Sequence, residues 1–92
     1  MYSKQTVIRN VSGLHARPAS EFVALAKTFE SKLTVKRLDT EDAVAANAKS
    51  IIKILAQGIS VNTPVEISAE GPDEKVAVDK MIALVDSKFG ED

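Results

Sequence analysis

Segments with two different hydrophobic periods follow one another along these 92 residues, and their order is the strongest constraint on the fold. Apolar residues at every second position predict a strand, whereas steps of three and four predict a helix with one buried face. The predicted elements are a strand at Tyr2 to Ile8, a helix from Pro18 to about Phe29, a strand at Leu33 to Leu38, a short strand at Ala43 to Ala45, a helix from Ile51 to about Gln57, a strand through Val65, Ile67 and Ala69, and a helix from about Asp73 to Lys88. This βαββαβα order predicts an α+β domain whose antiparallel sheet is covered by helices on one face.

The first and last predicted helices each carry one apolar face, and the middle helix has recognisable ends. The inward face of the first helix consists of Ala19, Phe22, Val23, Ala26 and Phe29. The inward face of the last helix consists of Ala77, Val78, Met81, Ile82 and Val85. Ser50 is a typical N-cap residue and Gly58 a typical residue after a helix C-terminus, so these two residues bound the middle helix.

The composition excludes several classes of function. A chain of this length, without repeats or linker-like tracts, predicts a single domain over residues 1–92, with little volume for a deep catalytic cavity. The absence of cysteine excludes disulfides, thiolate catalysis and cysteine-based metal centres. A formal net charge of −1 predicts no general attraction to nucleic acid or to a membrane surface. We therefore expect a soluble, cytoplasmic, monomeric protein without a metal ion or cofactor.

The only histidine of the chain lies where a glycine-containing loop meets the first helix, in Ser12-Gly13-Leu14-His15-Ala16-Arg17-Pro18-Ala19-Ser20. The first backbone N–H groups of a helix have no partner within it, so with the helix dipole they can bind an anion. Pro18 removes no donor that is needed there. Arg17 adds a planar, permanently charged group that suits phosphate oxygens. The segment is therefore a candidate phosphate site.

Histidine chemistry fits this location, although the residues alone leave alternatives open. A neutral imidazole has a ring nitrogen that can attack a phosphoryl group, which makes His15 a candidate nucleophile with Arg17 beside it. A histidine that merely caps a helix or lies on the surface fits the same residues. A small hydrolase of acyl phosphates or phosphate esters is another alternative, although no partner base is evident beside His15.

Three segments resemble one known family. Gly13-Leu14-His15-Ala16-Arg17-Pro18-Ala19 resembles the active-site motif of HPr, the histidine-containing phosphocarrier of the bacterial phosphoenolpyruvate-dependent sugar phosphotransferase system. Asn47-Ala48-Lys49-Ser50-Ile51-Ile52 resembles its regulatory-serine segment, and Ile67-Ser68-Ala69-Glu70-Gly71-Pro72-Asp73-Glu74 its last strand and turn. The resemblance covers nearly the whole chain in order. It implies an open-faced β-sandwich with four antiparallel strands and three helices.

The same resemblance implies a carrier function, not an enzymatic one. His15 would be phosphorylated on Nδ1 by enzyme I, and the phosphoryl group would pass to sugar-specific IIA components. The implied phosphate-binding residues are Ser12, Gly13, Ala16, Arg17 and Pro18. Stabilisation should stay moderate, because a carrier that bound the group too tightly could not deliver it.

Two further sites are implied by the resemblance. Ser50 corresponds to a serine that a dedicated kinase phosphorylates in many relatives, with a phosphorylase and a transcriptional regulator as further partners. A plain N-cap role for Ser50 is the alternative, and the two roles are compatible. The implied partner-binding surface has an apolar centre and a positive rim and comprises Ala16, Arg17, Ser20, Ala24, Lys27, Ile51, Ile52 and Leu55.

One segment departs from the family pattern. Asp39-Thr40-Glu41-Asp42 replaces a shorter turn, so we expect a longer and more acidic connection there, which leaves the exact pairing of the edge strand and the fit of a serine kinase open. A regulatory module, or a carrier in a nitrogen-linked phosphorelay, is a further alternative to a carrier for sugar transport.

Overall fold

The computed structural model describes residues 1–91, so the last residue of the predicted domain, Asp92, lies outside the described part. Its elements are β1 (Tyr2–Val7), α1 (Ala16–Ala26), β2 (Lys32–Arg37), β3 (Ala46–Asn47), α2 (Ile51–Ala56), β4 (Pro64–Glu70), α3 (Glu74–Asp86) and a final 3₁₀ turn (Lys88–Gly90). The strands form one antiparallel sheet in the order β1-β4-β2-β3. The predicted fold, an α+β open-faced β-sandwich with helices on one face, is confirmed.

The central strand β4 separates the two faces of the sheet as its alternating sequence predicts. Val65 and Ile67 are fully buried on the helical face, where Ile67 lies opposite the equally buried Val35 of β2. The other face is polar, and there Glu66 lies directly opposite Lys36. Opposite charges at paired positions favour the observed register, and a one-residue shift would expose the apolar set.

Each helix packs on the sheet through buried apolar residues, most of which the three- and four-residue spacing predicts. Phe22 of α1, Ile54 of α2 and Met81 of α3 have no exposed surface and belong to one core cluster with Ile67 and Leu33. Of the predicted inward residues, Ile82 and Phe29 are only partly buried against this cluster. Within residues 1–91, no helix combines the length and apolar content needed to cross a bilayer.

The prediction of a strand at Ala43 to Ala45 is wrong, because β3 comprises Ala46–Asn47 instead. Ala46 lies opposite Val35 and is 5% exposed, whereas Val44 is 75% exposed. The chain bends directly after β2, where Arg37 donates to both carboxylate oxygens of Asp39 at 2.7 and 2.8 Å. The acidic connection is therefore long, as expected, and leaves only two residues for the edge strand.

Helix α1 ends at Ala26, three residues before the predicted end at Phe29. Two contacts turn the chain away from the helix. Lys49 Nζ donates to the Phe29 carbonyl oxygen at 2.7 Å, and Asp73 accepts from the backbone N–H groups of Glu30 and Ser31 at 3.0 and 2.9 Å. The helix also begins earlier than predicted, at Ala16 and not at Pro18.

Asp73 links the start of α3 to the connection between α1 and β2. The Ser31 hydroxyl and the two backbone N–H groups stabilise the ionised carboxylate, so the pKa of Asp73 lies below its ordinary value. Gly71 permits the close approach, because a Cβ there would lie 2.6 Å from Ser31 Oγ. These contacts join the turn after β4 to the segment before β2.

Candidate functional site

The loop before α1 is attached to the connection between α2 and β4 by backbone hydrogen bonds. Ile8 N–H donates to the Thr63 carbonyl at 3.0 Å, and Leu14 N–H donates to the Ile59 carbonyl at 3.0 Å. Ile8 and Leu14 are both fully buried, so the loop is anchored at its two ends. This packing holds the residue after Leu14 at the surface.

Gly13 makes the close approach of the two segments possible. Its φ is +65°, and a Cβ would lie 2.7 Å from the Ile59 oxygen and 2.8 Å from Ser60 Cα. Since both neighbours are backbone atoms, no larger side chain fits without moving a loop. Internal packing therefore explains why this position is a glycine.

His15 is the N-cap residue of α1 and its side chain is exposed. Its backbone is extended, with φ −132° and ψ 160°, and the following Ala16 has a φ of +51°. A left-handed alanine costs about 1 kcal/mol, which the surrounding contacts must offset. Among residues 1–91, no group accepts a hydrogen bond from the N–H of Ala16 or Arg17, and none bonds to the imidazole. The exposed His15 imidazole thus lies next in sequence to two N–H groups, those of Ala16 and Arg17, that are unpaired within the described chain.

Arg17 is held by three oxygen-bearing groups. Its Nη1 pairs with the Glu21 carboxylate one turn along α1, and its Nη2 donates to the Phe89 carbonyl oxygen at 3.2 Å. The same Nη2 lies 3.7 Å from a carboxylate oxygen of Glu91. The guanidinium is therefore held by two carboxylates and one backbone carbonyl of the same chain.

Ser12 and Asn10 bind the second of these carboxylates. Glu91 accepts from Ser12 N–H at 3.3 Å, from Ser12 Oγ at 3.0 Å and from Asn10 Nδ2 at 3.2 Å. The Asn10 amide contributes most to holding the pKa of Glu91 below its ordinary value, followed by the Ser12 N–H, with a smaller effect of the Arg17 charge. Ser12, a predicted phosphate-binding residue, is thus engaged by a side chain of this chain.

The C-terminal residues are the part of the site that sequence reasoning missed. Phe89 is 2% exposed, and residues 88–90 all have positive φ, which turns the chain back toward the loop. An apolar residue followed by glycine after the last helix is a signal for such an anchored turn. Only the tertiary structure shows that Asn10 and Arg17 receive the residues on either side of Gly90.

Most of the predicted partner-binding residues lie on one surface formed by α1 and α2. An open groove of about 290 Å³ lies between the helices, lined by Ser20, Val23, Ala24, Lys27 and Ile51. Ile52 and Leu55 continue the apolar surface and are 75% and 44% exposed, because Ile54 is the residue of α2 that enters the core. The structure therefore places Ser20, Ala24 and Lys27 of the α1 segment beside the exposed apolar residues of α2. Ala16 and Arg17, also predicted, lie at the start of α1 and do not line the groove.

Ser50 is the N-cap of α2, as predicted. Its Oγ accepts a hydrogen bond from Lys53 N–H at 3.3 Å, and the residue is half-buried. Pro18, a further predicted phosphate-binding residue, is buried and has no N–H to donate. Of the predicted phosphate site, Ser12, Ala16 and Arg17 therefore offer hydrogen-bond donors beside His15.

Comparison with known proteins agrees with this geometry. The family model described as PTS HPr component phosphorylation site matches residues 2–87. The phosphocarrier protein HPr of Vibrio cholerae is 45% identical over 86 residues, covering 94% of this chain and 96% of the relative. The phosphocarrier protein NPr of Proteus mirabilis is 38% identical over 89 residues, covering 97% and 96%. The crystal structure of HPr-C-His from Thermoanaerobacter tengcongensis has a TM-score of 0.91 and 42% identity, covering 100% of this chain and 99% of that one.

Fold and site together define a phosphocarrier, a protein that carries a phosphoryl group and is not itself a catalyst. The chain belongs to the HPr family of the phosphotransferase system. The alternative of a small phosphate hydrolase is therefore set aside.

Gly13→Ala should destabilise the fold by about 2–4 kcal/mol, because strain at a positive φ is added to a clash with two backbone atoms. Gly90→Ala is the matched control, since Gly90 also has a positive φ, +77°, but a Cβ there meets nothing within 4 Å. It should cost only about 1 kcal/mol. Urea denaturation of both variants gives the comparison, and equal losses would contradict the assigned clash.

Proposed function

We propose that His15 accepts a phosphoryl group on Nδ1 from enzyme I and donates it to sugar-specific IIA components. The observation that carries this proposal is the exposed imidazole at the start of α1, beside two N–H groups that no described residue engages. The family membership supports the same assignment. The phosphorylated protein is then a covalent intermediate in sugar transport, and His15 is the nucleophile that forms it.

Acceptance and delivery of the phosphoryl group are the same displacement at phosphorus, in the forward and the reverse sense. The lone pair of the neutral imidazole attacks phosphorus, a nitrogen–phosphorus bond forms, and the bond to the donor breaks with its electron pair remaining on the donor. The Ala16 and Arg17 N–H groups, the Arg17 guanidinium and Ser12 would bind the phosphoryl oxygens. Gly13 and Pro18 shape the backbone around these donors.

Moderate stabilisation suits a carrier. The donors lie at the surface and not in a closed cavity, so each hydrogen bond to the phosphoryl group competes with water. Glu21 and Glu91 place negative charge near Arg17, which opposes a second anion. The phosphoryl group is therefore held weakly enough to be passed on.

Incubation with enzyme I and phosphoenolpyruvate should add one acid-labile phosphoryl group to the native chain and none to His15→Ala. Intact-mass spectrometry measures the label, and circular dichroism checks that the variant is folded. Because His15 is exposed and makes no side-chain hydrogen bond to residues 1–91, its removal should leave stability nearly unchanged. Labelling of His15→Ala would contradict the assignment.

The surface formed by α1 and α2 is proposed as the docking site for enzyme I and IIA. Its centre is apolar, with Ile51, Ile52 and Leu55 exposed by more than a third. Arg17 and Lys27 add positive charge at the α1 side. Partners that fit would present an apolar patch surrounded by acidic residues.

Ile52→Ala should weaken binding to enzyme I about fivefold, because roughly 1 kcal/mol of apolar contact is lost. Val44→Ala is the matched control, since Val44 is equally exposed at 75% but lies on the connection before β3. Isothermal titration calorimetry should show affinity unchanged by the control. Equal effects of the two substitutions would exclude a specific role for α2.

Ser50 is proposed as a regulatory phosphorylation site for a serine kinase and phosphorylase, read by a transcriptional regulator. The position tolerates the modification because a phosphate at a helix N-terminus meets the positive end of the dipole. It adjoins the docking residues Ile51 and Ile52, so added negative charge would meet acidic partner surfaces.

Ser50→Asp and Ser50→Asn separate the charge from the cap, since both side chains can accept the Lys53 N–H. Both variants should keep the native melting temperature within a few degrees. Only the aspartate should weaken enzyme I binding, by about tenfold, through like-charge repulsion. Calorimetric titration that finds the two variants equal would exclude an electrostatic mechanism.

A further inference from the structure

The carboxylate of Glu91 occupies donors that the proposed phosphoryl site needs. We propose that Glu91 is a positioning residue: it holds Ser12 and Arg17 in the unphosphorylated protein and is displaced when His15 carries a phosphoryl group. This inference rests on the proposed function and adds a competitor inside the same site. Glu91 thereby lowers the affinity of the site for the phosphoryl group and favours its transfer.

The donor set around Glu91 has the chemistry of an oxyanion site. One carboxylate oxygen accepts from Ser12 N–H at 3.3 Å and from Asn10 Nδ2 at 3.2 Å. The other accepts from Ser12 Oγ at 3.0 Å and lies 3.7 Å from Arg17 Nη2. A backbone N–H, a hydroxyl and a guanidinium are groups that bind phosphate oxygens equally well. A carboxylate and a phosphoryl group cannot both take the same N–H and hydroxyl hydrogens.

Asn10 independently indicates that the Glu91 contact is a built feature of the loop. Its side chain is fully buried, and Nδ2 donates both to the Gly13 carbonyl at 2.9 Å and to Glu91. Both acceptors require the amide nitrogen to face them, so Oδ1 points away and has no partner among residues 1–91. An unpaired buried oxygen is unfavourable, and the two bonds made by Nδ2 are what maintain this orientation.

The C-terminal segment allows Glu91 to leave without unfolding the protein. Phe89 is buried in the core, and its carbonyl oxygen keeps one bond to Arg17. Gly90, between this anchor and Glu91, has open space around it, since a Cβ added there would meet no atom within 4 Å. Beyond Phe89 the backbone is held by local hydrogen bonds from Gly90 N–H to the Ser87 carbonyl at 3.2 Å and from Glu91 N–H to the Lys88 carbonyl at 2.8 Å. Displacement of Glu91 therefore breaks local contacts and leaves the core in place.

Two effects of Glu91 both disfavour phosphorylated His15. Its hydrogen bonds stabilise the unphosphorylated state, and its negative charge opposes a phosphoryl group near Arg17. Replacing the carboxylate by a neutral amide weakens both. The equilibrium between donor and carrier should then shift toward phosphorylated His15.

The experiment measures the phosphorylated fraction at equilibrium with enzyme I, phosphoenolpyruvate and pyruvate at fixed ratios. Glu91→Gln should raise the apparent equilibrium constant about three- to fivefold over the native chain. Glu41→Gln, the same change at an exposed residue of the acidic connection, is the matched control and should leave it unchanged. A Glu91→Gln value equal to that of Glu41→Gln would overturn the inference.

The Ser12→Ala background separates displacement from a general charge effect. If Glu91 acts by holding Ser12, the shift caused by Glu91→Gln should shrink by about half when Ser12 Oγ is absent. An undiminished shift would overturn the positioning role. A native chain that takes no label at all would overturn the proposed function, and this inference with it.

A measurement on the native chain guards against a variant that fails to fold. The side-chain amide resonances of Asn10 report the Glu91 contact, because Asn10 is buried beneath it. In ¹H–¹⁵N spectra these resonances should shift on phosphorylation, as Glu91 leaves Nδ2. Unchanged Asn10 resonances in a fully phosphorylated sample would show that Glu91 stays in place and would overturn the inference.

Discussion

The attachment of the loop before α1 to the connection before β4 is the interaction that places the site. Two backbone hydrogen bonds, from Ile8 and from Leu14, and the backbone-to-backbone contact at Gly13 determine where this loop lies. Because Leu14 is buried, the next residue must leave the core at the start of the helix. The exposed position of His15 is thus a consequence of the packing beneath it, and it is set by backbone contacts of the residues that precede it.

The positively charged part of the site is balanced by acidic groups of the same chain. Arg17 is paired with Glu21 and Glu91, and Ser12 is bound by Glu91, so these proposed phosphate-binding donors are held in place by the chain itself. Ordered donors lose little conformational entropy on binding, whereas the acidic partners reduce the net gain. A carrier between two proteins benefits from both properties, since it must accept the group quickly and release it again.

The proposed docking surface and the proposed phosphoryl site are both built on helices α1 and α2. α1 carries Arg17 at its first turn and Lys27 just after its last, while α2 turns Ile54 inward and leaves its other large apolar residues exposed. A six-residue helix has too narrow a buried stripe to cover four large apolar residues. The exposed remainder lies beside the groove, close to the N-cap residue Ser50.

The order of residues along the chain was enough to predict the element order, the buried faces, the Ser50 cap and the combination of histidine, arginine and helix terminus, because these depend on near neighbours. The same reasoning misplaced β3 and the end of α1, since those limits are set by Arg37 with Asp39 and by Asp73 with Glu30 and Ser31. It also missed Glu91 at Ser12, a contact between residues 79 positions apart. These features were settled by the folded chain alone, because local periodicity carries no information about which distant groups meet once the core has closed.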